Sequence, residues 1–295
     1  MKPFLDQLLN RIDHHDTRVC LGIDPRPTQH PSTNPANHEG DTAQVARAVV
    51  NYFRAILEQT EDLIACTKLQ SAFFERMGVA GHIALAQLIA DCRSLGIPAI
   101  LDAKRGDIGS TAEAYADAYL DDGVFSSDAL TVNPYLGFDT LDPFVNSAVR
   151  NGRGLFVLVK TSNAGSHDLQ NLVLESGKPV YRHLAEELHK LSEQHASDRK
   201  FSPIGAVVAG TFPETLAEIR AILPRSLLLV PGFGAQGANP TAVSAAFTPG
   251  GQGAIISASR SLTYLGDHAN FWVQSRQATL DMRNALNRQI ATASL

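Results

Sequence analysis

Short runs of apolar residues recur along the chain, separated by longer segments of mixed polarity. Eight of these runs predict β-strands: Val19–Asp24, Leu63–Gln70, Ala99–Asp102, Ala129–Val132, Leu155–Lys160, Gly205–Ala209, Leu227–Val230 and Ala254–Ser257. The average step from one run to the next is roughly 33 residues, the length of a strand–helix unit. The runs are nearly continuous in apolar residues, as expected of parallel strands that are covered on both faces.

The segments between the runs carry signals for the starts and ends of helices. Asp41 predicts an N-cap before an apolar helix face, and Asn239 predicts another before a first-turn proline. Ser110 and Glu113 have the spacing of a capping box, which predicts a helix that begins there and stops near Gly123.

Eight alternating strand–helix units favour a TIM barrel, an α/β fold with eight parallel strands, built as a single domain over residues 1–295. A doubly wound open sheet is the structural alternative. Two polar stretches interrupt the pattern. Residues 26–40 are rich in proline and predict a surface loop, and residues 161–178 predict a lid after the fifth strand.

The composition is that of an ordinary globular protein, with 44% hydrophobic residues, 19% charged residues and a formal net charge of −5. This charge creates no field that would gather nucleic acid or an anionic membrane, so an anionic ligand would need a local cationic site. No apolar run approaches the roughly 18 residues of a membrane span, and Met1 to Asp16 lacks a secretory apolar core. We therefore expect a cytoplasmic protein without nucleic-acid or membrane partners.

Neither the cysteines nor the histidines have the spacing of a metal site. Cys20, Cys66 and Cys92 lie in apolar stretches and match no zinc or redox motif, so we expect buried, reduced thiols. The ten histidines include no pair at ligand spacing. We expect neither a metal nor an organic cofactor.

Polar residues stand where several of the predicted strands end. Asp24 ends the first strand, Lys68 lies near the end of the second, and Ser162 follows the fifth. Asp102 and Lys104 come at the end of the third strand, two positions apart on an extended chain, so both are expected to face the barrel mouth. The active site of a TIM barrel lies at this end of the strands.

Asp107 follows three residues after Lys104, in the turn before the predicted helix. A lysine set between two carboxylates is held in its charged form, so Lys104 is predicted to be a placed proton donor. A surface ion-pair cluster is the alternative, since such clusters are common and stabilise little. The apolar strand directly before Asp102 favours the functional interpretation.

Two loops near the end of the chain predict a phosphate site. Residues 231–237, Pro-Gly-Phe-Gly-Ala-Gln-Gly, follow the seventh strand, and residues 257–260, Ser-Ala-Ser-Arg, follow the eighth. TIM barrels frequently hold a phosphate between these two loops. Glycine lets backbone N–H groups approach an anion, and Arg260 can grip phosphate oxygens in a bidentate fork. Tight strand–helix turns also need glycine, so the loop after the seventh strand is weak evidence by itself.

The ordered set of motifs resembles the orotidine 5′-phosphate decarboxylase family over nearly the whole chain. Its centre is Asp102-x-Lys104-x-x-Asp107-Ile108-x-x-Thr111. The other matching segments are Gly22–Pro25, Lys68–Glu75, Thr161–Asn163, Pro231–Gly237 and Ser259–Ser261. Phe73-Phe74-Glu75 and the run Thr131–Tyr135 are similar to the longer bacterial subgroup.

The resemblance implies decarboxylation of orotidine 5′-phosphate to uridine 5′-phosphate (UMP), the last step of de novo pyrimidine nucleotide synthesis, without a cofactor. Lys104 would protonate C6 of the pyrimidine as carbon dioxide leaves. Asp102 would lie beside the substrate carboxylate, and Asp107 would complete the charged network. The residues that match Asp107 and Thr111 reach into the neighbouring subunit's site in this family, so a homodimer is expected.

The resemblance also implies a set of contacts for each part of the nucleotide. Asp24 and Lys68 would contact the ribose hydroxyls, and Lys68 would also join the charged chain. Ser162 would hydrogen-bond the pyrimidine ring, and Pro231 would line the pocket. Gln236, Arg260 and backbone N–H groups around Ser259 would hold the phosphate. The family often has glycine where this chain has Ser259, which leaves the local geometry open.

Two other functions are compatible with the same barrel. Hexulose-phosphate synthase and ketogulonate-phosphate decarboxylase share the Asp-x-Lys-x-x-Asp motif but use Mg²⁺, normally with a glutamate ligand after the second strand. Glu75 is too far past Lys68 to be a good match for that ligand. A catalytically silent barrel that binds a nucleotide or phosphate is the second alternative.

Overall fold

The computed structural model describes residues 2–196, 200–234, 239–266 and 269–293. Within them, eight parallel strands close a barrel in which the first strand pairs with the last. The strands are β1 (Val19–Ile23), β2 (Cys66–Gln70), β3 (Ala99–Arg105), β4 (Ala129–Val132), β5 (Gly154–Lys160), β6 (Ser202–Val208), β7 (Ser226–Val230) and β8 (Ala254–Ala258). The predicted TIM barrel is confirmed, and the open sheet is excluded.

Twelve α-helices are present in the described part of the chain. They are α1 (Phe4–His15), α2 (Thr42–Thr60), α3 (Ser71–Glu75), α4 (Gly78–Ser94), α5 (Gly109–Leu120), α6 (Asp142–Asn151), α7 (Ser166–Gln170), α8 (Val180–Gln194), α9 (Pro213–Ile222), α10 (Pro240–Val243), α11 (Arg260–Thr263) and α12 (Phe271–Ala293). None of these described helices combines the length and the apolar character that a membrane span requires.

The strand side chains divide between two hydrophobic clusters, because successive residues of a strand point to opposite faces. One cluster packs beneath the surrounding helices. The other fills the barrel interior together with residues of α1. Phe4 of α1 meets Phe156 edge-on, with 6.1 Å between ring centroids, and a Cβ at Gly154 would lie only 2.3 Å from the Phe4 ring. Helix α1 therefore closes one end of the barrel and leaves the carboxyl ends of the strands for a site.

Two of the predicted helix caps are confirmed, and one is wrong. The Asp41 side chain accepts hydrogen bonds from two backbone N–H groups at the start of α2, and Asn239 accepts one at the start of α10. Helix α5 begins at Gly109, and Ile108 before it makes no side-chain cap. Ser110 is already inside the first turn, so it lacks the extended backbone that a capping residue needs.

The predicted surface loop of residues 26–40 is more structured than expected. It forms three consecutive 3₁₀ turns, Pro27–Gln29, Pro31–Thr33 and Pro35–His38. His30 is buried in it, with its ring 4.8 Å from the rings of both Tyr52 and Phe271. The segment thus seals the core between α2 and α12, which its polar composition did not indicate.

All three cysteines are buried and free, as expected. Burial raises the pKa of the Cys66 thiol well above its ordinary value and raises the pKa of Cys92 to about 12. Both thiols therefore stay protonated and act as small apolar groups in the core.

Candidate active site

A cavity of about 430 Å³ opens at the carboxyl end of the barrel. The predicted site residues that line it are Asp24, Lys68, Asp102, Lys104, Ser162, Pro231, Ser259 and Arg260. Asp107 and Thr111 are not among the described residues that line this cavity. Gln236, which was predicted to bind phosphate, lies outside the described residues.

Asp102 is the centre of the polar network on the cavity floor. Lys68 Nζ donates to its Oδ2 at 2.7 Å, and Lys104 Nζ donates to its Oδ1 at 2.5 Å. Gln70 Nε2 also donates to Oδ2 at 2.9 Å, and the Thr131 hydroxyl donates to Oδ1 at 2.9 Å. Each carboxylate oxygen therefore accepts two hydrogen bonds, which fixes the carboxylate and the two ammonium groups relative to one another.

The charges of this network hold one another ionised. Burial alone would raise the pKa of Asp102, but the attraction of Lys68 and Lys104 outweighs it and places that pKa well below its ordinary value. Burial likewise disfavours the charge of Lys68, but Asp102 and Asp24 outweigh it and raise the pKa of Lys68. The floor of the cavity is therefore a lysine–aspartate–lysine chain in which Asp102 and Lys68 stay charged at neutral pH.

The arrangement differs from the predicted one in its order. A carboxylate lies between two lysines, instead of a lysine between two carboxylates. Within the described chain, Lys104 makes an ion pair with Asp102, whereas Asp107 Oδ1 accepts the backbone N–H of Ile108 at 2.9 Å. Among the described residues Asp107 therefore makes no ion pair with the ammonium group that it was expected to flank.

The backbone at Lys104 also departs from the predicted extended strand. Its φ is +49°, in the left-handed region that residues with a side chain rarely occupy. The pairing of β3 with β4 shifts register between Leu101 and Arg105, and the Lys104 N–H donates to the Thr131 hydroxyl at 3.0 Å. Such a conformation costs about 1–3 kcal/mol. It leaves the Lys104 side chain 42% exposed in the cavity while Asp102 beneath it is buried.

Replacing Asp102 by asparagine is expected to lower the free energy of unfolding by about 3–5 kcal/mol at neutral pH, because buried Lys68 would lose its counter-charge. The pKa of Asp102 is lower in the folded than in the unfolded chain, so its contribution is present above the unfolded value and is lost as pH falls. The difference between wild type and variant should therefore narrow below about pH 4.

Denaturant unfolding of both proteins across this pH range measures that difference. Asp117→Asn is the matched control, because Asp117 is exposed on α5 and has no described side-chain partner. A wild-type advantage that stayed constant from neutral pH to pH 3 would contradict the assigned charge state of Asp102.

The two loops that follow β7 and β8 form another wall of the cavity. Pro231, Gly232 and Phe233 come from the first loop, and Ser259 and Arg260 come from the second. The Arg260 side chain is exposed, and none of the described residues makes an ion pair with it. A free guanidinium at a cavity rim is suited to an anionic group of a ligand.

The segment that carries Ser162 is tied to the end of β5 by side-chain hydrogen bonds. The Thr161 N–H donates to Gln170 Oε1 at 3.0 Å, and Gln170 Nε2 donates back to the Thr161 hydroxyl at 2.8 Å. Buried Lys160 donates to Asn171 Oδ1 at 2.7 Å, and burial lowers the pKa of Lys160. Helix α7 is thereby held beside the cavity, next to Ser162.

Sequence reasoning missed three residues that belong to this site. Gln70 lies two positions after Lys68 on β2, and this alternation could have predicted that both face the cavity. Thr131 begins the run Thr131–Tyr135 of the resemblance, but only the pairing of β4 with β3 and the hydrogen bond to Asp102 reveal its role. Arg26 lines the cavity beside Asp24, but its proline-rich surroundings indicated only a loop.

No cluster of histidine, cysteine, aspartate or glutamate side chains that could hold a metal ion is found among the described residues. Glu75 is the residue that was compared above with the glutamate ligand of the magnesium-dependent enzymes. It accepts a hydrogen bond from Arg105 at 2.7 Å. It is not one of the described residues that line the cavity. The donors that converge on the cavity floor are ammonium, amide and hydroxyl groups around a single carboxylate.

A closed barrel with a charged network and an exposed arginine at its carboxyl end defines a TIM-barrel enzyme. The model of the orotidine 5′-phosphate decarboxylase / HUMPS family matches residues 17–271. The chain belongs to this family, as the motifs implied.

Relatives in sequence and in structure agree with this assignment. Orotidine 5′-phosphate decarboxylase of Rhodopirellula baltica is 40% identical over 301 residues, covering 97% of this chain and 99% of the relative. The enzyme of the same name from Deinococcus radiodurans is 42% identical over 286 residues, covering 96% and 97%. The structure of Leishmania donovani OMP decarboxylase superimposes with a TM-score of 0.79 at 32% identity, covering 98% and 99%. The two relatives in sequence are bacterial, as expected for the longer bacterial subgroup.

Proposed function

We propose that this protein decarboxylates orotidine 5′-phosphate to UMP in pyrimidine nucleotide synthesis, by a direct carbanion mechanism without a metal or organic cofactor. The observation that carries the proposal is the lysine–aspartate–lysine chain on the floor of a cavity whose rim holds the exposed Arg260. A cavity with these two ends suits a ligand that carries a reacting carboxylate at one end and a phosphate at the other.

In the proposed reaction the bond between C6 of the pyrimidine and its carboxylate breaks, and carbon dioxide leaves. The bonding electron pair remains on C6, where the Lys104 ammonium stabilises it by its charge and then transfers a proton. The products are UMP and carbon dioxide, and the proton on Lys104 is restored from solvent. Charge stabilisation of this kind is strong in a site from which water is excluded.

Asp102 is proposed to oppose the substrate carboxylate. Because its four hydrogen bonds hold it ionised and fixed, it cannot turn away or take up a proton when a second carboxylate approaches. The repulsion disappears as carbon dioxide leaves. Binding energy from the distant phosphate can hold the substrate in this unfavourable position.

The remaining proposed contacts follow the order of residues around the cavity. Asp24 and Lys68 bind the ribose hydroxyls, Ser162 binds the pyrimidine ring, and Pro231 lines the wall. Arg260 and the backbone N–H groups around Ser259 bind the phosphate, together with Gln236.

We further propose a cytoplasmic, single-domain protein that works as a homodimer. Asp107 and Thr111 follow the charged network closely in sequence, yet neither lines the cavity of its own chain. Thr111 is exposed, and the neighbouring apolar Ile108 is 63% exposed. A second copy packed over this segment would bury Ile108 and receive Asp107 and Thr111 in its own site.

The proposal predicts that activity toward orotidine 5′-phosphate does not depend on a divalent metal. Protein treated with EDTA and then dialysed should convert the substrate to UMP at the rate of the untreated protein, and added Mg²⁺ should change that rate less than twofold. The assay is chromatography of the nucleotide products. Loss of activity with EDTA and its recovery with Mg²⁺ would favour the sugar-phosphate enzymes of the family, and a hexulose 6-phosphate is the substrate with which to test that outcome.

A further inference from the structure

The side chain of Ser259 joins two parts of the cavity that serve different parts of a nucleotide. Its hydroxyl donates to Asp24 Oδ2 at 2.7 Å. Ser259 directly precedes Arg260 in the loop after β8, whereas Asp24 follows β1, and all three line the cavity. A single hydrogen bond therefore connects the loop that carries the Arg260 guanidinium with the part of the cavity that holds Asp24 and Lys68.

The two residues meet because β1 and β8 close the barrel and because Gly22 has no side chain. Leu21 of β1 pairs with Ala258 of β8, one residue before Ser259. A Cβ built on Gly22 would lie 2.7 Å from Ser259 Cβ and 3.1 Å from Ser259 Cα. Any larger residue at Gly22 would push the end of β8 away and lengthen the hydrogen bond to Asp24.

The other oxygen of Asp24 is buried and has no hydrogen-bond partner among the described residues. A buried carboxylate oxygen without a donor is costly, and the hydrogen bond from Ser259 is the one contact among the described residues that holds the Asp24 carboxylate by a donor. Oδ2 accepts the Ser259 hydroxyl and has a second lone pair with which it can accept a hydrogen bond from a ligand in the cavity. The charge of Asp24 also acts on Lys68, whose pKa it helps to raise.

We propose that the Ser259 hydroxyl is a positioning group that orients Asp24 toward the ribose hydroxyls and so couples phosphate binding to ribose recognition. This inference rests on the proposed function, because the ribose and the phosphate are those of the nucleotide named there. Because Ser259 directly precedes Arg260, a phosphate held by Arg260 would fix the backbone of the residue whose hydroxyl contacts Asp24.

The test compares UMP with 2′,3′-dideoxyuridine 5′-phosphate, which keeps the phosphate and the base but lacks both ribose hydroxyls. Both dissociation constants are measured by calorimetry. The ratio of the dissociation constant of the dideoxy nucleotide to that of UMP reports how much the ribose hydroxyls contribute to binding through Asp24. Ser259→Ala retains the backbone N–H and should reduce that ratio about tenfold, the effect of one hydrogen bond to a charged group. The affinity for the dideoxy nucleotide should stay within about twofold of the wild-type value.

Ser261→Ala is the matched control, because Ser261 lies two residues away and is not among the described residues that line the cavity. This variant should leave the ratio unchanged. If Ser259 merely supported the loop that holds the phosphate, Ser259→Ala would weaken both nucleotides equally. An unchanged ratio would therefore overturn the proposal. Ser259→Gly should reproduce the result of Ser259→Ala and guards against a defect peculiar to alanine next to Gly22.

A double-mutant cycle tests whether the hydroxyl acts through Asp24. In an Asp24→Asn background, Ser259→Ala should change the ratio less than twofold, because the group that it orients is already altered. If Asp24→Asn and Ser259→Ala instead changed the ratio independently, so that the double variant showed the product of the two single effects, the proposal would be overturned. If wild-type protein binds UMP but Ser259→Ala leaves the ratio unchanged, only this inference is contradicted. Wild-type protein that neither binds UMP nor consumes orotidine 5′-phosphate would contradict the proposed function and this inference with it.

Discussion

Replacing Lys104 by alanine is expected to lower kcat for orotidine 5′-phosphate by at least about 10⁴-fold. A placed proton donor contributes about 10²–10⁴ to a rate, and a fixed charge at the developing anion contributes about 10²–10³. Lys104 is proposed to supply both. The affinity for UMP should stay within about tenfold of the wild-type value, because the product carries no charge at C6 that the lysine must stabilise.

Single-turnover kinetics and UMP calorimetry on the same preparation measure the two quantities. The Lys104→Ala protein should fold, since Asp102 keeps its hydrogen bonds from Lys68 and Gln70. Lys190→Ala is the matched control, because Lys190 is 66% exposed on α8 and pairs only with Glu187 among the described residues. Turnover within tenfold of wild type for Lys104→Ala would remove Lys104 from the reaction.

Replacing Arg260 by alanine is expected to raise KM by a hundredfold or more. A bidentate pair of charge-assisted hydrogen bonds to a phosphate is worth roughly 3 kcal/mol or more, and 1.4 kcal/mol corresponds to a factor of ten. The loss should fall on kcat/KM, with a smaller fall in kcat, since the phosphate is far from the bond that breaks. We expect kcat to fall to some extent, because the binding energy of the phosphate also holds the substrate against Asp102.

Binding of uridine distinguishes the loss of a phosphate contact at Arg260 from a general disturbance of the cavity. Since uridine has no phosphate, its dissociation constant should be the same for wild type and Arg260→Ala, whereas the dissociation constant for UMP should rise. Arg47→Ala, at an exposed position on α2, should leave both affinities unchanged. An equal loss for uridine and UMP would show that Arg260 shapes the cavity without gripping the phosphate.

The barrel was predictable from the sequence because its signal is local and repeated. Strands buried on both faces appear as short apolar runs, and each of the eight predicted runs contains most of an observed strand. The ends were less accurate. Residues 63–65 precede β2, and β3 continues through Lys104 to Arg105, because polar side chains at the cavity interrupt the apolar run before the backbone pairing ends.

The members of the site were largely predictable, but their arrangement was not. Polar residues at strand ends and the family motifs identified the cavity lining. The left-handed turn at Lys104 depends on a register shift against β4 and on the Thr131 hydroxyl, and neither appears in the residues around Lys104. The resemblance implied that Lys68 joins the charged chain, but the position of Asp102 between the two lysines depends on the pairing of β2 with β3.

The capping box at Ser110 illustrates a local rule that tertiary structure overrides. Its spacing to Glu113 fits the motif, but the chain turns at Gly109, where φ is +51°, and α5 starts one residue before the predicted cap. The turn follows the irregular end of β3, which is shaped by the charged network. The helix start thus follows a strand irregularity that the residues around Ser110 do not reveal.

The most direct test of the central claim is the ultraviolet absorbance of orotidine 5′-phosphate after purified wild-type protein is added, with the protein's UMP affinity measured in parallel. We expect the absorbance to fall until the substrate is consumed, with one carbon dioxide released per nucleotide and UMP as the nucleotide product. A flat trace from protein that still binds UMP would contradict the claim, and would identify a barrel that binds the nucleotide without decarboxylating it.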